Sequence, residues 1–535
     1  MTLLLGLGII GSRCADNLIA AGIDLKTWNR TPKDRADSVT DLSAADADVV
    51  LCYLMDEHAV RDVFSQIAPS LGEGKTFINH ATIDPETTMW LDAQCRALGC
   101  DFLDCPFTGS KDASAGGNLV YYVSGKPELL EKYRSLLEIT SREIMFLGPP
   151  PAATVVKITT NLVTASAVTA LAEALEISRR HGVDPRDYEK ALQLNASYAP
   201  VHGLKTPSIL DDDFEPHFST KNMLKDARFS EALAAEAGAH APGISTVSAL
   251  LEQASGHAAE EDFSSLVKNE PYPADFAPLG PRAIIEASGP DAARYLNGQI
   301  SNDIALTESG DTISACLLDA KGGLECFVYL RKMAESYIID APISEREILM
   351  ARLDKYLIAD EVTLTDVSDE LHISHSLDEA AGSKANRFGM PGADFITDEE
   401  PEHSFGTFEG LRIFNGAPKW PNELFPGILP AEAGLEESAI SFTKGCYTGQ
   451  EVVSRMKRAG KVNRKLVKLV LNKPLIPKNS RLMVDGKEAG VITSVTRFDS
   501  TEIALGYLKR KFEDAEEFQV ISPSADRVIG SAKLR

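Results

Sequence analysis

Residues 2–11 read Thr-Leu-Leu-Leu-Gly-Leu-Gly-Ile-Ile-Gly, an apolar run followed by glycines in the pattern Gly-x-Gly-x-x-Gly. The run predicts a β-strand, and the residues from the third glycine to Ala21 predict a helix. Glycines at such a junction let the backbone approach a pyrophosphate at the helix N-terminus. We therefore expect a dinucleotide to bind here, although a tight turn alone would also use these glycines. The residues expected to contact it are Gly6, Leu7, Gly8, Ile9, Ile10 and Gly11.

A second strand is predicted to end at Trp28-Asn29-Arg30-Thr31. It lies about 20 residues beyond the glycines, where NAD-binding proteins carry an acidic residue that contacts the ribose. Arg30 and Thr31 offer a cation and a hydroxyl instead, which favours the 2′-phosphate of NADP(H); the alternative is a surface arginine. Further strands predicted at residues 48–52 and 76–79 alternate with helices, so the fold class of this part is α/β with a parallel sheet.

From about Ala152 the pattern changes to long helices without strands. Lys157 and Asn161 stand four residues apart, on one face of an otherwise apolar helix. A lysine on such a face can donate a proton to an alkoxide that forms during hydride transfer. The alternative is a lysine that extends from the helix side into solvent.

Five motifs in residues 1–268 resemble the β-hydroxyacid dehydrogenase family, and within it the glyoxylate and succinic semialdehyde reductases and the imine reductases. They are residues 6–11, 28–31, 104–111 (Asp-Cys-Pro-Phe-Thr-Gly-Ser-Lys), Lys157 with Asn161, and 218–226. The resemblance implies reduction of a small aldehyde or keto acid, and pairing of the helical domains in a homodimer. It also implies that Lys157 is the general acid and that Asn161 holds the substrate. The remaining implied contacts are Thr108 and Gly109 to the substrate carboxylate, Lys225 with Asp226 near the nicotinamide, and Asn29, Leu54, Met55 and Thr82 at the cofactor.

This chain departs from the family pattern at several places. Where the family has Asp-x-Ser-Thr, residues 79–82 read Asn-His-Ala-Thr, and Thr108 replaces a serine. The glycine-rich approach to the lysine has become Pro149-Pro150-Pro151-Ala152, and the stretch from Arg30 to Asp48 is short. These departures leave two readings open: a working reductase, or a module that binds NADP(H) without turnover and senses redox state. His80 is either an incidental loop histidine or a proton shuttle.

The second half begins after a linker predicted at Lys268-Asn269-Glu270-Pro271-Tyr272-Pro273. It reads as α+β sequence, and after Val462 as short β-segments that predict a small C-terminal β-barrel. Residues 444–451 read Lys-Gly-Cys-Tyr-Thr-Gly-Gln-Glu. Lys444 places a positive charge beside Cys446, which can lower a thiol pKa and favour the nucleophilic thiolate; the alternative is a small buried hydrophobic residue.

Residues 272–535 resemble the YgfZ-type folate-binding proteins, relatives of glycine-cleavage aminomethyltransferase. The resemblance rests on residues 296–303 (Leu-Asn-Gly-Gln-Ile-Ser-Asn-Asp), 318–322 (Leu-Asp-Ala-Lys-Gly), Lys355-Tyr356, and 444–451 with Arg455. It implies a tetrahydrofolate-binding protein that supports iron–sulfur cluster maintenance, with Lys444 and Cys446 as central residues. Where relatives carry a glutamate before Gly-x-Pro, this chain has Phe414, and Glu409 lies nearby at a different spacing.

Charge is distributed unevenly. The chain has a net charge of -24, which argues against non-specific binding to nucleic acid or anionic membranes. Yet no acidic residue occurs between Val452 and Val484. The clustered cations suit an anionic partner, such as a polyglutamylated folate tail or RNA, or form a solvated surface; they are Arg455, Lys457, Arg458, Lys461, Arg464 and Lys465.

Length and composition set the remaining expectations. A chain of 535 residues is too long to fold around a single hydrophobic core. We divide it into a Rossmann domain (1–149), an all-helical domain (150–268), a folate-binding-type domain (269–465) and a barrel (466–535). Eight scattered cysteines without zinc spacing fit the reducing cytoplasm. The first strand follows Met1 directly, so no secretory signal is expected. No apolar stretch is expected to reach the ~20 residues of a membrane span.

Overall fold

A computed structural model describes residues 1–43, 45–269, 276–380, 382–399, 407–460 and 462–535. Most of the predicted linker, residues 270–273, and Lys461 of the basic cluster lie outside these ranges. The chain divides into two compact units. The first contains Met1–Glu173 and Ala199–Val267, and the second contains Ala174–Tyr198 and Lys268–Arg535.

An eight-stranded sheet forms the centre of the first unit, in the order β2-β1-β3-β4-β5-β7-β6 with β8 beside β7. Its strands are β1 (Thr2–Leu5), β2 (Leu25–Trp28), β3 (Val49–Cys52), β4 (Thr76–Asn79), β5 (Asp101–Asp104), β6 (Phe107–Thr108), β7 (Leu119–Gly125) and β8 (Ser141–Phe146). The strands from β2 to β5 pair in parallel. β1, β3 and β4 are buried along their whole length, which explains their continuous apolar sequence. The predicted α/β class is confirmed.

Five helices accompany this sheet: α1 (Gly11–Ala20), α2 (Glu57–Ile67), α3 (Pro85–Leu98), α4 (Lys111–Ala115) and α5 (Pro127–Leu137). Aspartates cap two of them. The Asp56 carboxylate accepts from the Ala59 N–H at 2.8 Å, and the Asp84 carboxylate accepts from the Thr87 N–H at 2.7 Å. Between β2 and β3, residues 30–43 and 45–48 contain neither helix nor strand. The connection that looked short in the sequence therefore lacks the usual crossover helix.

Long helices follow, as the sequence predicted: α6 (Ala152–Arg180), α7 (Pro185–Gln193), α8 (Pro200–Asp211), α9 (Thr220–Ala237) and α10 (Pro242–Ala258). In the first unit, α6, α9 and α10 share a core that includes Ala165, Val168, Met223 and Leu251. This core holds α6 against α9, the two helices that carry the predicted lysines.

The expectation that no stretch would reach the length of a membrane span was wrong for α6. Among the described residues, this 29-residue helix is long and apolar enough to cross a membrane, by length and composition only. Its most apolar 18-residue window has a mean hydropathy of 1.4, and 44% of that window is buried. Alanine and valine with scattered leucine and isoleucine make it apolar, rather than a continuous run of large apolar residues. Ala165 and Val168 are fully buried, as the core side of a protein helix requires.

The second unit contains two open sheets, ordered β11-β12-β13-β10-β14 and β16-β17-β15-β9. Their strands are β9 (Phe276–Pro278), β10 (Arg282–Ser288), β11 (Ile313–Leu318), β12 (Leu324–Lys332), β13 (Ser336–Pro342), β14 (Thr363–Asp366), β15 (His372–Ser376), β16 (Ser383–Asn386) and β17 (Pro391–Thr397). The helices are α11 (Ala292–Gln299), α12 (Arg346–Asp354), α13 (Glu409–Asn415) and α14 (Gln450–Ala459).

The predicted C-terminal barrel is confirmed. It closes in the order β18-β21-β20-β19-β22-β23. Its strands are β18 (Arg464–Leu471), β19 (Arg481–Val484), β20 (Lys487–Phe498), β21 (Thr501–Lys509), β22 (Glu517–Ile521) and β23 (Val528–Leu534). Closure leaves no free sheet edge in this part of the chain.

The second unit also includes residues 174–198, which precede the predicted linker. Arg179 is 2% exposed, and its guanidinium lies 3.5 Å from the Glu502 carboxylate. The Arg179 carbonyl accepts from the Lys478 N–H at 2.9 Å, and the Asp184 carboxylate pairs with Arg527 at 2.5 Å. The boundary between compact units therefore does not coincide with a single cut near residue 268.

Candidate functional site

The first candidate site is centred on Lys157, in the second turn of α6. The Lys157 Nζ donates to the Asn161 Oδ1 at 2.9 Å. Lys157 is only 7% exposed, and its ammonium lies 5.9 Å from the centroid of the Phe107 ring. The side chain therefore does not extend into solvent, the alternative that the sequence had left open.

Helix α9 completes the polar cluster. The Asn161 Nδ2 donates to the Asp226 Oδ2 at 2.6 Å, and the Lys225 Nζ lies 2.9 Å from the Asp226 Oδ1. The Lys225 Nζ also donates to the Thr82 carbonyl at 2.6 Å. The structure thus brings together four residues that the sequence placed in the site: Lys157, Asn161, Lys225 and Thr82.

Burial lowers the pKa of Lys157 to about 8; the Asp226 carboxylate opposes this shift, and the Lys225 charge adds to it. An amine with such a pKa is mostly protonated at neutral pH and releases its proton more readily than a solvated lysine. The arrangement can therefore deliver a proton to an oxygen beside it.

Thr108 and Gly109 directly follow Phe107, the ring beneath the Lys157 ammonium. Thr108 is half-buried at the end of β6, and Gly109 is exposed. Gly109 has a φ of +143°, and a Cβ there would lie 2.8 Å from the Leu119 Cδ2. The backbone at this position therefore requires glycine.

Asp104 organises the approach to α6, a role that sequence reasoning missed. Its buried Oδ2 accepts from the Thr154 N–H at 3.0 Å and the Thr154 hydroxyl at 2.8 Å, near the start of α6. Its Oδ1 accepts from the Asn79 Nδ2 at 3.2 Å. Burial raises the pKa of Asp104 to about 6. The available signal was an aspartate at the carboxyl end of a buried strand, the first residue of the 104–111 motif.

This contact explains the Asn79 departure. An amide at position 79 donates to the Asp104 carboxylate and accepts from the Ala81 N–H at 3.2 Å. A second carboxylate there would repel the first. His80 is equally structural: it is fully buried, stacks on Tyr53 at 4.3 Å, and burial lowers its pKa to about 3. A ring that stays neutral at physiological pH is not a proton shuttle.

The glycine loop has the close packing that a dinucleotide site needs. A Cβ on Gly6 would lie 2.5 Å from the Tyr53 carbonyl, and one on Gly11 would lie 2.0 Å from the Gly6 carbonyl. Above Gly8 there is open space, with no atom within 4 Å of a Cβ. The Leu7 N–H donates to the Asn29 Oδ1 at 2.8 Å, which fixes the loop to the end of β2.

Most of the other predicted cofactor contacts follow the ends of β2 and β3, the strands on either side of β1. Arg30 and Thr31 are exposed, Leu54 is half-buried, and Ile9 and Met55 are exposed apolar side chains. An exposed guanidinium and uncovered apolar side chains beside an open glycine can receive a phosphate and a flat ring.

In the second unit, three of the sequence motifs converge. The Lys444 Nζ donates to the carbonyls of Asn297, Ile300 and Asn302 at 2.5, 2.8 and 2.7 Å. Gly449, with a φ of +81°, packs so closely that a Cβ would lie 2.6 Å from the Asp319 carbonyl. Residues 296–303, 318–322 and 444–451 therefore form one surface site.

Cys446 is exposed in this site, in contrast to the seven other cysteines, which are buried. The Lys444 ammonium is directed at the three carbonyls, and burial lowers its pKa to about 8. Lys444 therefore holds the 297–302 loop, a role that its spacing from Cys446 did not indicate. The functional roles of both residues stay predictions.

A separate cavity of about 250 Å³ lies in the second unit. Five aromatic side chains line it: Phe327, Tyr329, Phe388, Phe408 and Trp420. Glu409 also lines it and pairs with Arg412 at 2.7 Å. Phe414 does not line it, since its ring packs against Phe498 and Arg535. Glu409 therefore places a carboxylate at this cavity, and Phe414 lies outside it.

Two family models match the first half of the chain. The NAD binding domain of 6-phosphogluconate dehydrogenase matches residues 3–148, and the NAD-binding region of NADP-dependent 3-hydroxyisobutyrate dehydrogenase matches residues 151–269. Glyoxylate/succinic semialdehyde reductase 2 of Arabidopsis thaliana is 28% identical over 278 residues, 49% of this chain and 77% of the relative. Mouse mitochondrial 3-hydroxyisobutyrate dehydrogenase is 26% identical over 241 residues, 42% of this chain and 72% of the relative.

Two solved structures are also similar. Mycobacterium tuberculosis 3-hydroxyisobutyrate dehydrogenase aligns with a TM-score of 0.47 and 24% identity, covering 50% of this chain and 97% of its own. The glycine cleavage system aminomethyltransferase T from Bartonella henselae aligns with a TM-score of 0.42 and 16% identity, covering 49% and 84%.

The glycine loop, the lysine cluster and the two matched domains define the first half as an NAD(P)-dependent oxidoreductase. Within that class, residues 3–269 belong to the β-hydroxyacid dehydrogenase family, as their motifs indicated.

Proposed function

We propose that the first half reduces a small aldehyde or keto acid with NADPH, and that Lys157 is the proton donor. The observation that carries this proposal is the buried Lys157 ammonium, held by Asn161 and with a pKa lowered to about 8. When bound, NADPH supplies the hydride to the carbonyl carbon. The Lys157 Nζ gives its proton to the carbonyl oxygen, and the product is a hydroxy acid or alcohol.

The residues present fit this cofactor. Gly6 and Gly11 allow the close backbone packing of the loop, and the space above Gly8 is open for the pyrophosphate. Arg30 would pair with the 2′-phosphate, because its guanidinium is exposed at the end of β2. Thr108 and Gly109 would bind the substrate carboxylate, and Lys225 would position the nicotinamide side through its contact with Thr82.

The test is NADPH oxidation by the purified full chain, with glyoxylate, succinic semialdehyde, tartronate semialdehyde and a cyclic imine as substrates. Oxidation that is lost in Lys157→Ala supports the reductase and identifies its substrate class. If NADPH binds but no substrate is reduced, the second candidate gains support: a non-catalytic module that senses NADP(H) for the second half. The proline-rich approach at residues 149–151 is the feature that favours that candidate.

For the second half we propose tetrahydrofolate binding in the aromatic cavity. Phe388 and Phe408 stack at 4.6 Å, and the Arg387 guanidinium lies 4.0 Å above the Tyr329 ring. Aromatic faces of this kind suit a planar heteroaromatic ring. The Glu409 carboxylate would accept from the pterin edge. A volume of about 250 Å³ is smaller than most ligand pockets, so the ring would enter and the glutamate tail would stay outside.

Calorimetric titration of the full chain with tetrahydrofolate tests this proposal. Binding should weaken in Glu409→Gln, while Phe414→Leu, which alters a side chain outside the cavity, should bind like the wild type. Equal binding by Glu409→Gln would remove the carboxylate from the site.

We further propose that the second half supports iron–sulfur cluster maintenance in the cytoplasm through the exposed Cys446, with iron–sulfur proteins as indirect partners. Complementation of a deletion strain with Cys446→Ser should then leave iron–sulfur enzyme activities low. Full recovery would exclude the thiol.

A homodimer is also proposed, through the outer face of α6. Val163, in the part of α6 that belongs to the first unit, is 69% exposed although its side chain is apolar. Light scattering should give twice the chain mass, and Val163→Asp should shift it toward the monomer. A monomeric wild type would contradict the proposal.

A further inference from the structure

Two cysteines meet where α3 ends. Gly99, in the left-handed conformation with a φ of 75°, donates its N–H to the Arg96 carbonyl at 3.2 Å. The Cys100 N–H donates to the Cys95 carbonyl at 2.9 Å. These two bonds form a Schellman motif, which turns the residue after the glycine back over the last turn of the helix. The motif therefore places the Cys100 side chain against that of Cys95.

The turn places the two thiols near each other, and hydrogen bonding between them lowers the pKa of Cys100 and raises that of Cys95. By contrast, burial raises the pKa of Cys14, Cys52 and Cys105 in the same unit. Cys100 is 7% exposed, whereas Cys95 is fully buried. Both thiols are buried, but Cys100 keeps a small exposed fraction and the greater thiolate character, and the turn holds the second thiol beside it.

We propose that Cys95 and Cys100 are a redox-active pair that hydrogen peroxide oxidises to a disulfide. In the first step the Cys100 thiolate attacks the peroxide. An S–O bond forms, the O–O bond breaks, and Cys100 becomes a sulfenic acid while the leaving hydroxide takes up a proton as water. In the second step the Cys95 sulfur attacks the Cys100 sulfur. The S–S bond forms, the Cys95 proton leaves with the hydroxyl as water, and a thiol reverses the reaction by exchange.

The location gives this pair a connection to the rest of the unit. Cys100 directly precedes β5, whose last residue, Asp104, accepts from Thr154 at the start of α6. A disulfide would fix the turn between α3 and β5 without touching the residues around Lys157. We therefore expect oxidation to raise the melting temperature of the first unit, because it restrains the unfolded chain.

Peptide mapping tests the proposal, because Arg96 lies between the two cysteines. Trypsin places Cys95 in residues 76–96 and Cys100 in residues 97–111, so a disulfide joins two peptides. The full chain, carrying Cys446→Ser to prevent intermolecular bonds, is treated with hydrogen peroxide, alkylated and digested without reductant. The expected product is the joined pair, lighter than the two free peptides by two hydrogen atoms, and dithiothreitol should separate it.

Cysteine variants show whether Cys95 pairs with Cys100 or with Cys105, and whether the pair is redox-active or only packed together. Residues 97–111 also contain Cys105, so Cys100→Ser must abolish the joined pair, and Cys105→Ser must keep it. Survival of the pair in Cys100→Ser would overturn the assignment. In the wild type, oxidation of the exposed Cys446 shows that the peroxide has reacted. If Cys95 and Cys100 are still fully alkylated in that sample, the two thiols form a packing contact only and the proposal is overturned. A rise in melting temperature with peroxide that Cys95→Ala lacks would confirm the bond independently of the mapping.

Discussion

The ammonium of Lys157 lies 2.9 Å from the amide oxygen of Asn161, one helical turn further along α6. Asn161 uses its other group to donate to the Asp226 carboxylate at 2.6 Å. The amide therefore links the proton donor to a negative charge on a different helix. This geometry determines how the first half should respond to substitution and to pH.

Replacement of Lys157 should separate chemistry from binding. Lys157→Ala should lower kcat by about 100-fold or more, the usual loss when a general acid is removed, and leave the Kd for NADPH nearly unchanged. Lys157→Arg is the matched control, since it keeps the charge but does not release a proton at these pH values. Turnover by Lys157→Ala at the wild-type rate would remove Lys157 from the mechanism.

The pH profile of reduction should follow the protonation of Lys157. The active form carries the proton, so kcat/KM should be high below pH 8 and fall as the pH rises through about 8. The Asp226 carboxylate raises the pKa of Lys157, so Asp226→Asn should move the fall to lower pH. A profile that is flat in the wild type from neutral to alkaline pH would contradict this assignment.

Arg30 should determine the choice between the two dinucleotides. Arg30→Asp should weaken NADPH relative to NADH by roughly 10-fold to 100-fold, because a charge-assisted bond to the 2′-phosphate is lost and a repulsion is gained. Arg142→Asp, the same change at an exposed position on β8, is the control. An unaltered ratio of dissociation constants in Arg30→Asp would refute the 2′-phosphate contact.

Alanine substitutions at two glycines of the same loop should affect different properties. A Cβ at Gly11 would lie 2.0 Å from the Gly6 carbonyl, so Gly11→Ala should destabilise the first unit as well as abolish cofactor binding. A Cβ at Gly8 meets nothing within 4 Å, so Gly8→Ala should melt like the wild type and yet bind NADPH weakly. Gly243→Ala, also in open space but within α10, should leave NADPH binding unchanged and should not lower the melting temperature. Tight NADPH binding by Gly8→Ala would show that the pyrophosphate lies elsewhere.

Removal of the Lys444 ammonium should destabilise the second unit. The ammonium serves three backbone carbonyls, so Lys444→Ala should cost about 1–3 kcal/mol in the free energy of unfolding of the second unit. Cys446→Ala changes an exposed side chain and should cost much less. Urea titration compares the two variants, and equal stability would mean that the carbonyls find water instead.

Much of the fold was readable from local pattern. The run at residues 2–11 set the first strand, the glycine turn and α1, because each depends on neighbouring residues. Lys157 and Asn161 were paired correctly, since four residues along a helix return to the same face. The barrel was also predicted from its short strands and polar turns.

Other relationships had no local signal. Helix α13 turns Glu409 and Phe414 to different sides. Phe414, at the position where relatives carry a glutamate, packs on Phe498 of the barrel, whereas Glu409 lines the cavity. Asp104 and Thr154 are 50 residues apart, and their bond depends on the sheet and α6 meeting.

The sequence by itself determined the order of strands and helices, the glycine loop and the lysine one turn before Asn161, because propensity and periodicity act over a few residues. Only the tertiary structure decided that Lys444 serves carbonyls some 140 residues away, as in its bond to Asn302. It also decided that residues 174–198 belong to the second unit. Burial and hydrogen bonding between distant segments select those partners, and no spacing along the chain encodes them.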